Sequence, residues 1–323
     1  MATGRNGRHS ARAILVRAAG PVAVATALFL LFLAFRGPGG HHAAAPAGSG
    51  AARPSATPPP ADPGDPGMAP VTATATPPAW HADPLGTATA ASVAQRAGTV
   101  LAAVYDVQTG QTWRLGQDRP QAEASVVKLD ILETLLARRS SGLPAASRPL
   151  ARQMIEDSSN DAATSLWYAA GGATGIQAYN ATAGLTGTTP SSCVRCSGFT
   201  WPGWGLSTTV PADQITLLKE LIGPGPLLTS AERAYALSLL ENVTPAQRWG
   251  VCGGVPAGVT IALKNGWLPL NDAATDWQVN SVGWISGDGR DYLMAVLTTG
   301  NPAEQYGIDT INRLSAIVWN AMR

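Results

Sequence analysis

The alternation of apolar and polar residues predicts β-strands at both ends of the C-terminal three quarters of the chain. Between Val100 and Leu115, β-forming residues flank a Thr109-Gly110 turn, a pattern typical of a hairpin. Near the C-terminus three more segments have strand character: GVTIALKNGW (258–267), WQVNSVGWI (277–285) and DYLMAVLTTG (291–300). A Gly287-Asp288-Gly289 turn joins the last two, which predicts a second hairpin.

Helical periodicity dominates the region between these strands. In SVVKLDILETLLARR, from Ser125 to Arg139, apolar residues cover most of the helical surface, which predicts a helix buried inside the domain. Further helices are predicted at 152–170, interrupted by the polar run EDSSND, at 211–222 with Ser207 or Thr209 near its cap, and at 304–322. Residues 171–209 are predicted to hold short helices and a long loop.

This order of elements predicts an α/β fold of the layered α+β type. Because strands lie at both ends of the domain, we expect them to share one antiparallel sheet with helices packed on it. The intervening residues would form a mostly helical subdomain.

The N-terminal 88 residues have a different composition from the predicted domain. An Arg-rich segment (1–17) precedes an uncharged apolar run (18–35), which as a helix would extend about 27 Å and could span a bilayer. The arginines predict a cytoplasmic N-terminus and an extracytoplasmic remainder. A signal peptide cleaved near residues 43–47 is the alternative, and it would make the protein secreted.

Residues 36–88 are rich in Ala, Pro, Gly, Thr and Ser, so a disordered linker is predicted there. The domain would then extend from residue 89 to residue 323. We expect it to act as a monomer, although the sequence carries no direct signal of oligomeric state.

Charge and histidine content exclude several kinds of function. The net charge is +1 and 13% of residues are charged, so nucleic-acid binding is not expected. The four histidines (9, 41, 42 and 81) precede the predicted domain, which excludes a Ser-His-Asp triad and argues against zinc. No metal or cofactor is expected. The pair Cys193 and Cys196 could form a disulfide or remain as buried thiols, and with Cys252 at most one intramolecular disulfide is possible.

Without histidine, another base must activate a nucleophile, and lysine is the candidate. Ser125 and Lys128 lie one helical turn apart, at the N-terminus of the buried helix, where free N–H groups favour a developing oxyanion. A buried amine near a second cation has a lowered pKa and can accept the serine proton. The spacing alone also fits an unrelated surface Ser and Lys. However, the chain has only three lysines (128, 219 and 264), and two of them lie in the motifs described next.

Three motifs together resemble the signature of a known enzyme family. SVVK (125–128), SSN (158–160) and KNG (264–266) are similar to the S-x-x-K, S-D-N and K-T-G motifs of class A β-lactamases and penicillin-binding proteins. They occur in the family's order, and the resemblance covers the chain from about Val100 to Trp319.

The resemblance implies roles for the motif residues. Ser125 would attack a carbonyl while Lys128 takes its proton, and Ser158 would relay a proton to the leaving nitrogen. Lys264 would attract the substrate carboxylate and orient Ser158. The backbone N–H groups of Ser125 and Trp267 would form the oxyanion hole. The residues expected to contact the substrate are Asn160, Asn265, Gly266 and Trp267. For Ser158 and Asn160, a polar loop with a helix cap is the alternative.

Two departures from the family's pattern affect the expected activity. Asn265 replaces the family's Thr or Ser, which puts the substrate range in doubt. No Asp or Glu occurs between residues 162 and 212, although class A β-lactamases carry a deacylating Glu in this region. The expected function is a serine hydrolase of β-lactams or cell-wall D-Ala peptides. A penicillin-binding sensor or wall-binding module that barely turns over is the alternative.

Four tryptophans are candidates to line the site: Trp201, Trp204, Trp267 and Trp284. Trp267 follows the KNG motif directly, whereas the other three fit ordinary packing at least as well.

Overall fold

The computed structural model describes residues 81–138, 142–196 and 198–323. The N-terminal segment 1–17, the apolar run 18–35 and linker residues 36–80 lie outside these ranges. Within them, no helix combines the length and the apolar character needed to cross a bilayer. The membrane anchor at 18–35 therefore stays a prediction.

Eight helices and seven strands make up the described domain. The helices are α1 (Thr87–Ala94), α2 (Val127–Ala137), α3 (Arg148–Glu156), α4 (Asn160–Ala169), α5 (Gly172–Ala183), α6 (Pro211–Ile222), α7 (Ser230–Glu241) and α8 (Glu304–Ala321). The strands are β1 (Thr99–Asp106), β2 (Thr112–Leu115), β3 (Gln121–Ala122), β4 (Thr208–Thr209), β5 (Thr260–Pro269), β6 (Trp277–Gly287) and β7 (Arg290–Asn301).

The main sheet has five antiparallel strands in the order β2-β1-β7-β6-β5. Both predicted hairpins, β1–β2 and β6–β7, are present. The N-terminal and C-terminal strands of the domain share this sheet, which confirms the predicted α+β fold class. Strands β3 and β4 form a separate small sheet.

Both faces of the sheet are covered by helices. Along β7, Leu293 and Ala295 point into one hydrophobic core, and Met294 and Val296 point into the other. Helix α8 packs on β6 and β7 at the second core, whereas α6 and α7 contact the sheet on the other side. Because side chains alternate between the faces of a strand, the central part of β7, from Tyr292 to Leu297, is apolar on both faces.

Helix α2 lies at the centre of the helical layer. Each residue from Val127 to Leu136 is buried, including Lys128, Asp130 and Glu133. The predicted helix is confirmed, with Ser125 in a 3₁₀ turn (Ala124–Val126) that leads into α2. The predicted interruption at EDSSND separates α3 from α4, and Ser158 in this break has a φ of +56°.

Packed structure begins before Thr89. Leu85 is 3% exposed, and the Thr89 hydroxyl donates a 2.9 Å hydrogen bond to the Pro84 carbonyl. His81 Nε2 lies 3.6 Å from the carboxylate of Asp106, at the end of β1. The sequence assigned His81, Pro84 and Leu85 to the linker (36–88), because few large apolar side chains occur there.

Candidate active site

Ser125 lies at the floor of a cleft, in a turn held by hydrogen bonds from the sheet. Ala124 has a φ of +49°, which L-residues rarely adopt. The Asn280 side chain on β6 donates to the carbonyls of Ala122 (2.8 Å) and Glu123 (2.9 Å), and fixes the turn from below. Such a backbone conformation persists only where its surroundings enforce it. The nucleophile predicted from sequence is therefore half-buried on a rigid turn.

Gly266 on β5 lies directly against this turn. A Cβ at position 266 would be 2.5 Å from the Ser125 nitrogen and 2.7 Å from the Val126 nitrogen. Both are backbone atoms that cannot move without displacing Ser125. The glycine of the KNG motif therefore permits the close approach of two backbones.

Substituting Gly266 with alanine is expected to lower the free energy of unfolding by about 2–3 kcal/mol, because the added methyl group overpacks a rigid contact. Urea denaturation of the full chain measures this. Gly205→Ala is the matched control, since its Cβ would meet Ala124 no closer than 3.7 Å. That variant should stay within about 1 kcal/mol of the wild type. Equal urea midpoints for the two variants would show that position 266 does not require glycine for the close approach of the two backbones.

Two buried amines converge on the hydroxyl of Ser158. Lys128 Nζ lies 3.1 Å from Ser158 Oγ, and Lys264 Nζ lies 3.0 Å from the same oxygen. Lys128 also donates to the Ser158 carbonyl (2.5 Å) and to Asn160 Oδ1 (2.9 Å). The structure thus brings together four residues that the three motifs singled out.

Burial shifts the pKa of both amines. Desolvation, together with the charge of Lys264, lowers the pKa of Lys128 to about 6. Desolvation lowers the pKa of Lys264 to about 7. Neither amine takes part in an ion pair among the described residues. One neutral amine and one protonated amine can therefore coexist near neutral pH, as a base beside a cation.

In the described part of the chain, the Lys128 amine donates hydrogen bonds to Ser158 and Asn160 and makes none with the Ser125 hydroxyl. Catalytic hydrogen bonds are often long without substrate and shorten when it binds. Proton transfer from Ser125 to Lys128 would therefore require the amine and the hydroxyl to come within hydrogen-bond distance.

Asn160 is the first residue of α4, and Ser159 before it is the N-cap. The Ser159 hydroxyl accepts a 3.3 Å hydrogen bond from the Ala162 N–H. The helix cap considered from sequence is thus real, but Ser159 provides it. Ser158 and Asn160 on either side are free to face Lys128.

Asn265 points away from the two lysines. Its amide nitrogen donates to the carbonyls of Gln247 (2.6 Å) and Trp249 (3.0 Å), and the residue is 1% exposed. Strand alternation explains this, because Lys264 and Gly266 occupy the opposite face of β5. The expected contact of Asn265 with substrate stays a prediction, and it would require the amide to leave these partners.

Aromatic side chains form the walls of the cleft, which has a volume of about 380 Å³. Trp267 and Trp201 line it, as sequence suggested they could. Phe199 and Trp277 also line it, and the sequence pattern did not single them out. Trp277 pairs with Pro269 across the β5–β6 hairpin. Aligning the two predicted strands would have placed Trp277 close to Trp267 and the KNG motif.

The other two candidate tryptophans have different positions. Trp204 is buried beneath the cleft, with its ring 5.0 Å from Lys128 Nζ and its N–H donating to Thr164. Trp284 is half-buried against the core, and its N–H donates to Asp291 at 2.6 Å. It does not line the described cleft.

Few carboxylates line the cleft that contains Ser125. Asp157 is the one acidic residue among the described residues that line the cleft. Because residues 162–212 contain neither Asp nor Glu, the loop that supplies Trp201 and Phe199 offers no carboxylate. Within the described residues, Asp157 is thus the one carboxylate of the cleft that could activate water.

The cysteine alternatives are resolved within the described residues. Cys193 and Cys196 form a disulfide in the loop that leads to Phe199 and Trp201, and Cys252 carries a free thiol. This agrees with the limit of one intramolecular disulfide.

Known structures share this fold. The chain superposes on a class A β-lactamase from Mycobacterium abscessus with a TM-score of 0.60 at 23% identity, covering 72% of this chain and 96% of that one. The TLA-1 extended-spectrum β-lactamase gives a TM-score of 0.64 at 14% identity, with coverage of 72% and 96%.

Sequence comparisons also find relatives of this chain. The protein LppW, of both Mycobacterium tuberculosis and Mycobacterium bovis, is 29% identical over 207 residues, which is 61% of this chain and 62% of LppW. The match thus spans less than two thirds of LppW. A family model described as the β-lactamase enzyme family matches residues 135–322. That range begins after Ser125 and Lys128 but contains the SSN and KNG motifs. Since it covers more than half of the chain, this protein belongs to the β-lactamase enzyme family.

Proposed function

We propose that the domain is a serine acyl-enzyme hydrolase that acts on β-lactams or on cell-wall D-Ala peptides, with Ser125 as nucleophile. The observation that carries this proposal is the bridging of two buried amines by Ser158 Oγ, at 3.1 and 3.0 Å. Both amines have lowered pKa values and lack carboxylate partners within the described ranges. Burying an amine without a carboxylate partner lowers the stability of the fold. Such amines therefore indicate a role in proton transfer rather than in stabilising the structure.

In the proposed reaction, neutral Lys128 takes the proton of Ser125 as the serine oxygen bonds to the substrate carbonyl carbon. The C–N bond then breaks, and the leaving nitrogen receives a proton from Ser158. Ser158 recovers that proton from Lys128, with which it is already hydrogen-bonded. Protons therefore balance without any further group.

Substrate placement follows from the same geometry. Lys264 supplies positive charge for a substrate carboxylate, and Asn160 offers an amide at the cleft floor. The N–H groups of Ser125 and Trp267 would stabilise the oxyanion, with Gly266 holding the two segments close together. A small amide with an adjacent carboxylate fits this set of groups.

A second candidate function is a penicillin-binding sensor or wall-binding module. The lack of acidic residues from 162 to 212 favours slow deacylation. Within the described chain only exposed Asp157 brings a carboxylate to the cleft. The two candidates share acylation and differ in turnover.

The test is to incubate the full chain with a fluorescent penicillin and to follow a chromogenic cephalosporin in parallel. We expect one adduct per chain on the peptide that contains Ser125, located by mass spectrometry. The cephalosporin should give a burst of about one equivalent and then slow turnover, because no loop carboxylate activates water. Turnover without accumulation would contradict slow deacylation, and absence of both adduct and cephalosporin turnover would contradict the proposed function.

We also propose that the protein is anchored by residues 18–35, with the domain outside the cytoplasm and reaching the wall through residues 36–80. Cleavage of the N-terminal segment would instead release it. The export of a wall-directed hydrolase requires one of these routes. A monomer suffices for the proposed reaction, because the residues assigned to it all come from one chain.

A further inference from the structure

Three buried carboxyl groups lie along α2 and the turn before it, and the proposed reaction uses none of them. Glu123 directly precedes the 3₁₀ turn that carries Ser125, whereas Asp130 and Glu133 are one helical turn apart on α2. All three residues are 0% exposed. Acidic side chains are seldom fully buried unless a partner neutralises them, so this cluster requires a physical explanation.

No cation neutralises these groups within the described part of the chain. None of the three takes part in an ion pair there. Both carboxyl oxygens of Glu123, Oδ2 of Asp130 and Oε1 of Glu133 also lack a hydrogen-bond partner among the described residues. The hydrogen bonds that do form come from neutral hydroxyl groups: Thr134 donates to Asp130 at 3.4 Å, and Tyr179 donates to Glu133 at 2.7 Å.

Helices α5 and α6 pack against α2 and bring further uncharged or acidic groups to the cluster. On α5, Asn180 lies beside Asp130, and neither polar atom of its side chain has a partner among the described residues. On α6, the carboxyl groups of Asp213 and Glu220 lie close enough to act on the cluster. Asp213 differs from the others, because it accepts two short hydrogen bonds from the segment that follows α5.

The basic residues of α2 and α6 have other partners. Lys128 lies two residues before Asp130, so its side chain leaves the helix in a different direction, and its amine bonds to the SSN motif. Arg138, at the end of α2, donates to the carbonyl that follows α4. Lys219 on α6 stacks on the Tyr105 ring at 3.5 Å. The cluster is therefore left without a counter-charge from these elements.

Burial without a counter-charge requires these groups to hold their protons, because an isolated buried carboxylate is far less stable than a neutral carboxyl group. Desolvation raises the pKa of Asp130 to about 7 and raises the pKa of Glu133 well above its usual range. Desolvation, together with the charge of Asp130, also raises the pKa of Glu123. The folded domain thus keeps protons that the unfolded chain releases above about pH 4.

We propose that Glu123, Asp130 and Glu133 form a proton-binding cluster that couples the turn carrying Ser125 to pH. That turn connects Glu123 to α2, so charge repulsion within the cluster acts on both of its ends. The domain is most stable while the cluster is protonated, in mildly acidic surroundings, and it loosens at this turn as the cluster ionises. The inference goes beyond the proposed function and does not depend on what Ser125 acylates.

Stability should fall as the pH rises within the acidic range. Between about pH 4 and the raised pKa values, each carboxyl group that is protonated only in the folded state lowers the folding equilibrium constant about tenfold per pH unit. The lowered pKa values of Lys128 and Lys264 act in the opposite direction above about pH 6. The range from about pH 5 to pH 6 therefore isolates the carboxyl cluster.

Urea denaturation of the full chain at pH 5, 5.5 and 6 tests the proposal. The folding equilibrium constant of the wild type should fall by about 10²–10³-fold across this range. Asp130→Asn and Glu133→Gln should each reduce that fall by about tenfold, because a neutral amide replaces one proton-binding group. Asp309→Asn is the matched control, since Asp309 is exposed on α8 and bonds to Gln305, and it should keep the wild-type slope.

A wild-type equilibrium constant that stays level or rises from pH 5 to pH 6 would overturn the proposal, even if one amide variant fails to fold. A fall that persists unchanged in the amide variants would overturn it as well. Stabilisation of the wild type by added Ca²⁺ that the amide variants lose would overturn it in favour of a cation site. None of these measurements requires acylation, so their outcome is separate from that of the proposed function.

Hydrogen exchange tests the coupling to the turn. After correction for the intrinsic effect of pH, the amides of residues 124–127 should lose more protection between pH 6 and pH 8 than those of α8. Asp130→Asn should show a smaller difference between the two segments. An equal loss of protection in both segments of the wild type would show that the cluster affects only global stability, and it would overturn the coupling.

Discussion

Replacing Ser125 with alanine is expected to abolish covalent labelling by penicillin, with a loss of acylation on the order of 10⁴-fold or more, because the proposed adduct forms on the Ser125 hydroxyl. The fold should survive. Ser125 is half-buried in the turn that leads into α2, and removal of one hydroxyl there should change the free energy of unfolding by about 0.5 kcal/mol or less. Gel fluorescence measures the labelling, and urea denaturation measures the stability.

Ser159→Ala provides a control that should lose stability and keep penicillin labelling. Ser159 caps α4 through its hydrogen bond from the Ala162 N–H, and it lies beside the hydrogen-bond network of the two lysines without joining it. Its substitution should cost about 1 kcal/mol of stability and leave labelling nearly intact. If the Ser125 variant still forms an adduct, or if both serines affect labelling equally, Ser125 is not the nucleophile.

The sequence was sufficient to predict the elements whose pattern depends on burial. Helix α2 is apolar around its whole surface because it lies inside the domain, so its existence could be inferred without coordinates. The same holds for β5, β6 and β7, each with a turn residue at its end. The three motifs then placed Ser125, Ser158 and Lys264 in the right elements.

Two helices were not predicted with their bounds. Helix α5 lies in the region predicted to hold short helices, and it carries only Ile176 and Tyr179 as large buried apolar residues, so packing rather than periodicity stabilises it. Helix α7 did carry a signal, since Thr229 and Glu232 form a capping box at its start. That signal was available in the sequence, and a search for T-x-x-E would have found this helix.

The parts of the site that depend on spacing within one element could be predicted from the sequence. Spacing puts Ser125 and Lys128 on one helix face, but it does not show that Lys128 bonds Ser158 and Asn160 in the absence of substrate. Asn265 was expected at the substrate because the motif's position suggests it, whereas strand alternation turns it toward Gln247. Contacts between distant segments, such as Phe199 against the cleft, depend on tertiary packing that no local pattern encodes.

Replacing Lys128 with methionine is expected to lower the rate of acylation by about 10³-fold, since general-base catalysis typically contributes 10²–10⁴-fold. Methionine has a similar length and suits a buried site, but it leaves Asn160 Oδ1 without its donor, at a cost of about 1–3 kcal/mol. Lys219→Met is the matched control. Lys219 is the third lysine of the chain and stacks on Tyr105 at 3.5 Å, so its removal should keep labelling within about twofold.

The pH dependence of acylation distinguishes a lysine that acts as a base at position 128 from one that has only a structural role. With a pKa lowered to about 6, Lys128 is protonated below that pH and cannot accept a proton, so wild-type acylation should fall about tenfold per pH unit on the acid side. Above about pH 7, Lys264 loses the charge that attracts a substrate carboxylate, and acylation should fall again. The residual activity of the methionine variant should lack the acid limb near pH 6 and retain the alkaline one. A wild-type profile that is flat between about pH 5 and pH 8, or an acid limb that persists without Lys128, would assign the base to another group.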